Sequence, residues 1–146
     1  MILSKFQKTA LAIAGVTALC FGGLILATPL AFYASYGIAL DGNPSLLSEL
    51  RAPGAALATL GALMLAGLVR AAWAPVARVA ALTVYLAFPA GRIISLAVDG
   101  MPSPNVIGAL VIEISIATLC LVAFRRPHDN SLAVPRLRVP QNRYPT

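Results

Sequence analysis

Apolar residues run through this chain in four long, nearly uninterrupted stretches, from Thr9 to Tyr33, Pro53 to Trp73, Val76 to Val98 and Asn105 to Phe124. Between them gather the prolines, glycines, asparagines and most of the charges. A helix needs about 20 apolar residues to cross ~30 Å of hydrocarbon, and each stretch reaches that length. None alternates with a period of two, and all are rich in leucine and alanine, so they read as helices and not as barrel strands. The pattern predicts an all-α fold, a four-helix transmembrane bundle occupying residues 1–126. Residues 127–146 hold four prolines and few large apolar groups, and are expected to form a disordered, basic tail.

The connections add detail. The longest, Ala34 to Ala52, contains Asn43 followed by Pro44, a good N-cap and first-turn pair for a helix through Leu46, Leu47 and Leu50. That helix either lies in the membrane interface or prolongs the second span, in which case Pro53 falls inside it. The first span shares features with a secretory signal peptide, since Lys5 and Lys8 precede it. Its apolar core of roughly 19 residues exceeds the ~7–15 of such segments, so it is expected to be retained. Cys20 and Cys120 fall at different depths, which argues against a disulfide and for two small core residues.

Composition agrees with lipid as the solvent. The chain is 59% hydrophobic and 11% charged, with a mean hydropathy of +0.84, more apolar surface than one soluble core of this size buries. The net charge of +6 would suit nucleic acid, but the charges are placed otherwise. Lys5, Lys8, Arg70, Arg78, Arg125, Arg126, Arg136, Arg138 and Arg143 all fall on one side of the four spans, while Asp41, Glu49 and Asp99 fall on the other with Arg51. The positive-inside rule then puts both termini in the cytoplasm, and the basic surplus is read as a topology signal and a contact with anionic lipids of the cytoplasmic leaflet. Nucleic acid is not expected as a partner.

Two ionisable residues stand inside the spans, Arg92 and Glu113. Counted from the same side of the membrane, they lie ~10 Å and ~12 Å deep at the helical rise. An unpaired charge at such depth costs upwards of ~2.5 kcal/mol, so the two are expected to meet between adjacent third and fourth helices. Tyr85, Phe88, Arg92, Ser95 and Asp99 follow the spacing of one helix side, and Glu49 and Arg51 are placed to join from above. The candidate polar site is thus Glu49, Arg51, Tyr85, Arg92, Ser95, Asp99 and Glu113, in the outer half of the bundle. In the second span Gly54, Ala58, Ala62 and Ala66 recur at every fourth position, a strip of small residues that fits helix packing within the bundle or a homodimer interface.

Glu49-Leu50-Arg51, Gly91-Arg92 with Asp99-Gly100-Met101-Pro102, and Glu113 together resemble the pattern of a bacterial four-span integral membrane family catalogued as a domain of unknown function, family 4345, over about residues 10 to 124. The resemblance implies a four-helix fold, a bacterial inner-membrane location and an importance for the matched polar residues, and implies no reaction. Two functions compete on the residues themselves. One is a site for a small molecule, lipid or proton at the Arg/Glu/Asp cluster, and the other is a non-catalytic subunit or assembly factor of a membrane complex in which the charges only fix the bundle. An enzyme is the weaker reading. There is no HExxH, CxxC or nucleophile elbow, and His128, the single histidine, falls in the tail, so no catalytic residue, metal or cofactor is predicted.

Overall fold

The computed structural model describes residues 3–125; the predicted tail, residues 127–146, lies outside them. The described chain is all helical. α1 spans Lys5–Ala27, α2 Pro29–Ser35, α3 Pro44–Val69, α4 Ala74–Val98 and α5 Pro104–Phe124, with a single 3-10 turn, Ala71–Trp73, before α4. All but α2 are long and apolar enough to cross a membrane. The protein is an integral membrane protein built as a four-helix bundle.

Local chemistry sets the helix ends. Ser4 and Gln7 form a capping box at the start of α1, with Gln7 N donating to Ser4 Oγ (3.2 Å) and Ser4 N donating to Gln7 Oε1 (3.1 Å). The first span stops at Ala27, not at Tyr33 as the hydropathy predicted. Pro29 has no amide to offer Ile25 and forces its predecessor out of the helical region, so Thr28 adopts φ −135°, ψ 59° and the chain restarts as α2. The second span is longer than its apolar core suggested. Asn43 Oδ1 accepts from Ser45 N (2.9 Å) and Leu46 N (3.4 Å), Pro44 occupies the first turn, and α3 runs without a break through Pro53. It ends at Val69 and not at Trp73, because Arg70 is extended and Ala71–Trp73 form the tight turn into α4.

The four long helices alternate in direction, α1 packing on α3, α3 on α4, α4 on α5 and α5 back on α1. One end of the bundle holds the start of α1, the α3–α4 turn and the end of α5, tied by Gln7 Nε2 donating to the Ala123 carbonyl (3.0 Å). We call it the termini end. The opposite end carries α2 and both longer loops.

The most extensive contact joins α1 and α3, and glycines make it. A Cβ on Gly22 would lie 2.7 Å from Gly54 O, and one on Gly61 would lie 2.8 Å from Gly15 O. Gly15 and Gly22 are seven residues apart, as are Gly54 and Gly61, so the two antiparallel helices meet at two successive glycine pairs. The predicted strip is therefore only partly the contact face. Gly54 is buried and Ala58 packs beside Gly22, but Ala66 is half-buried and Ala62 is exposed. A four-residue step overshoots the 3.6-residue turn, and the strip drifts off the interface within three repeats. Gly61 holds the seam against Gly15 and Leu19 of α1, and Gly67 allows Ala77 of α4 to sit against α3.

Towards the termini end the centre is filled by small side chains with Leu11 and Met64. Ala10, Ala14, Ala74, Ala77, Ala81 and Cys120 are almost fully buried there. Both cysteines are free thiols, and Cys20, expected in the core, is exposed on the outside of α1.

Candidate functional site

The other half of the bundle holds a half-open cavity. The cavity, of about 620 Å³, lies between α1, α4 and α5 beneath α2 and the chain that follows it, and α3 reaches it only through Leu57. Its volume falls within the ~300–1,000 Å³ of small-molecule sites.

The roof comes from α2, whose ending aims three side chains at the cavity. Gly37 takes φ 77°, a left-handed conformation that glycine adopts without a Cβ penalty. Gly37 N then donates to Ala34 O (2.9 Å) and Ile38 N to Tyr33 O (3.0 Å), which together form a Schellman motif. Tyr33, Tyr36 and Ile38 line the cavity as a result. Ser103, just before α5, and Asn105, in its first turn, hold this turn in place. Ser103 Oγ donates to Tyr36 O (2.7 Å) and Asn105 Nδ2 to Ser35 O (2.6 Å). Ser103 precedes α5 as its N-cap yet makes no capping bond with its side chain; its hydroxyl serves α2 instead.

The floor is set by Tyr85. It is 3% exposed, and its hydroxyl donates to the Ala14 carbonyl of α1 at 2.8 Å, which satisfies a phenol that would otherwise be buried without a partner. Pro89, buried one turn further along α4, leaves the Tyr85 carbonyl without its helical donor yet does not end the helix. Phe21, Phe32, Phe88 and Val84 add large apolar side chains to the wall.

Into this apolar chamber project one cation and one anion. Arg92 Nε donates to both Glu113 oxygens, at 2.9 Å to Oε2 and 3.1 Å to Oε1. The side chains are 29% and 15% exposed, so the pair is partly covered and lies on the cavity wall. Neither Nη group of Arg92 donates to a described residue, and neither belongs to the fully covered polar atoms. Both are thus open for contact. A second, much smaller cavity of about 70 Å³ shares Arg92, Ser95 and Val106. The field of Arg92 also reaches Tyr33. Burial pushes the Tyr33 phenol above its ordinary pKa, and the positive charge of Arg92 opposes that rise. Neither the Tyr33 nor the Tyr36 hydroxyl is bonded to a described residue.

Of the seven polar residues singled out in the sequence, the structure brings four to this chamber, Tyr85, Arg92, Ser95 and Glu113. It does not assemble the larger set of three acids and two arginines. Asp99 is exposed and accepts from Ser95 Oγ (2.8 Å), one turn away on its own helix. Glu49 and Arg51 are exposed in the first two turns of α3 and form no ion pair among the described residues, because α3 turns only Leu57 to the cavity. No fully buried charge is present among the described residues. The sequence reading missed Phe32, Tyr33 and Tyr36. The signal that would have found them was Pro29, which breaks the first apolar run and returns its last few residues to the bundle as a roof. Among the described residues, no three His, Cys, Asp or Glu side chains come together as metal ligands.

Comparison with known proteins gives a family and no activity. Searches of curated proteins and of solved structures return no match. A family model described as a domain of unknown function, DUF4345, matches residues 6–124, a span that takes in α1 to α5, the aromatic roof and the Arg92–Glu113 pair. By that match over most of its length, the chain belongs to the DUF4345 family.

Proposed function

We propose that this protein binds a small molecule or lipid in the cavity beside Arg92 and Glu113, within the half of the bundle that faces away from the cytoplasm. One observation carries the reading. A chamber of about 620 Å³ is lined by Arg92, whose two Nη groups have no bond to a described residue, in a protein whose other half is close-packed with alanine. A pair that served only to fix helix register would need no chamber beside it, whereas orienting polar groups on an otherwise apolar wall are what a ligand site requires.

The charge distribution supports a cytoplasmic location for the termini end, where Lys5, Lys8, Arg70 and Arg125 are exposed and available to anionic headgroups. The bacterial inner membrane is the matching location. The glycine seam lies between α1 and α3 of one chain, which supports packing within the bundle as the role of Gly54 and Ala58.

The test is a cavity-filling substitution. Gly91 lines the chamber, and a Cβ placed on it meets nothing within 4 Å, so Gly91→Leu should narrow the space beside Arg92 without disturbing the backbone. Protein purified in mild detergent should release a stoichiometric bound species on denaturation, seen by mass spectrometry, and the Gly91→Leu protein should release less. Equal yields from both, or no species from the natural protein, would overturn the reading.

A further inference from the structure

Resting on that reading, we infer that the ligand is an uncharged amphiphile whose head offers carbonyl-type oxygens, a quinone or an ester, to Arg92, and whose apolar body lies among Phe21, Phe32 and Phe88. The argument begins with charge. Among the described residues, Arg92 and Glu113 are the only ionisable side chains, tyrosines aside, on the cavity wall, and they already neutralise each other through the Nε contact. An anionic head placed against the Nη groups would bring a second negative charge close to Glu113 in a poorly screened interior. A cationic head would face Arg92 directly. A neutral head meets neither penalty.

Hydrogen-bonding capacity narrows the class further. Arg92, Tyr33 and Tyr36 line the wall, and neither Nη group of Arg92 nor either tyrosine hydroxyl is bonded to a described residue. The one carboxylate on the wall, Glu113, accepts from Arg92 Nε at both oxygens. The Nη groups can only donate, so a head placed against them must accept, and a carbonyl oxygen does so with no proton of its own to place. The rest of the lining is aromatic and aliphatic, so the body of the ligand is apolar.

Two sources share this chemistry, a membrane quinone and a neutral glycerolipid. Three probes separate them and test the class, a benzoquinone bearing a decyl chain, dioctanoylglycerol, and decanoate as the anionic counterpart. Binding to the detergent-purified protein is measured by equilibrium dialysis at neutral pH, with thermal shift as a second readout. The natural protein should bind at least one neutral probe ten-fold or more tighter than decanoate, and the neutral probe that binds names the source. Glu113→Gln uncovers the charge of Arg92 and should reverse the order in favour of decanoate. Arg92→Lys keeps the ion pair, and so the fold, but removes the paired Nη donors; it should lose neutral-probe binding ten-fold or more. Decanoate binding as tightly as the neutral probes, or an Arg92→Lys protein that binds the neutral probe unchanged, would overturn the neutral-head assignment while leaving the cavity a ligand site. Failure of all three probes, in a protein that also releases no bound species on denaturation, would overturn the assignment and the binding reading together.

Discussion

Replacing Gly22 with alanine should weaken the bundle more than its size suggests, and the structure says by how much. The added Cβ would stand 2.7 Å from Gly54 O and 2.8 Å from Ala58 Cα, against ordinary contact at ~3.5 Å or more. Every atom it meets belongs to the backbone of α3, so no rotamer change relieves the clash, and the helices must part by roughly an ångström. The Gly15–Gly61 pair on the same seam would loosen with them. Overpacking of this kind costs about 1–3 kcal/mol, and the rigidity of the obstacle argues for the upper part of that range. Alanine returns up to ~1 kcal/mol of helix propensity, which leaves a net loss of about 1–2 kcal/mol. Gly23→Ala is the control, since a Cβ there meets nothing within 4 Å and only the propensity gain applies. The two variants should therefore differ by about 2–3 kcal/mol, or some 5–10 °C in Tm for a chain of this length. Thermal unfolding followed by circular dichroism in one detergent provides the comparison. If Gly22→Ala melts within about 1 °C of Gly23→Ala, the glycine seam does not hold α1 to α3 and the reasoning fails.

Other expectations follow from the site. Glu113→Gln should cost about 2–3 kcal/mol, somewhat below the ~3–5 of a fully buried pair because the two side chains remain 29% and 15% exposed; a double-mutant cycle with Arg92→Gln should recover most of that as coupling. Ser103→Ala and Asn105→Ala should each cost about 0.5–1.5 kcal/mol and raise amide hydrogen exchange at Gly37 and Ile38, whose turn they anchor, while leaving α3 protected. The Tyr33 phenol is raised by burial from 10.0, so the folded state holds its proton more tightly than the unfolded chain. Its contribution is complete below that ordinary value and is lost as pH rises through the folded one. Natural protein should accordingly lose stability above pH 10 more steeply than Tyr33→Phe, by Tm measured across that range.

What was legible in the sequence was whatever depended on distance along one helix. Arg92 and Glu113 were paired from depth alone, because antiparallel neighbours place equal depths side by side and a lone charge there is costly. The long α3 was foreshadowed by Asn43 and Pro44, since an N-cap acts over two or three residues. What failed depended on rotation about a helix or on loops. Depth could not tell that Glu49 and Arg51 face away from the chamber, nor that Ala62 turns off the seam. The short α2 was hidden inside an apolar run, although Pro29 marked its start and Gly37 its end.

These two halves of the result have one physical origin. The bundle is narrow where glycine and alanine let backbones touch, along α1–α3 and through the alanine-filled termini end. It is wide where Phe21, Phe32, Tyr36, Phe88 and the Arg92–Glu113 pair occupy the corresponding space. Large side chains on α1, α2 and α4 meet at a single level and cannot interdigitate as alanines do, and Tyr85, pinned to Ala14, cannot swing up to fill the gap. α3 enters that level only through Leu57 because Gly54 and Gly61 commit it to α1. The tight seam thus leaves the opposite side of the bundle open, and a substitution that loosens the seam, such as Gly22→Ala, should reshape the chamber as well. Coupling of that kind would appear as weakened binding of the neutral probe in Gly22→Ala and unchanged binding in Gly23→Ala, although neither glycine lines the cavity.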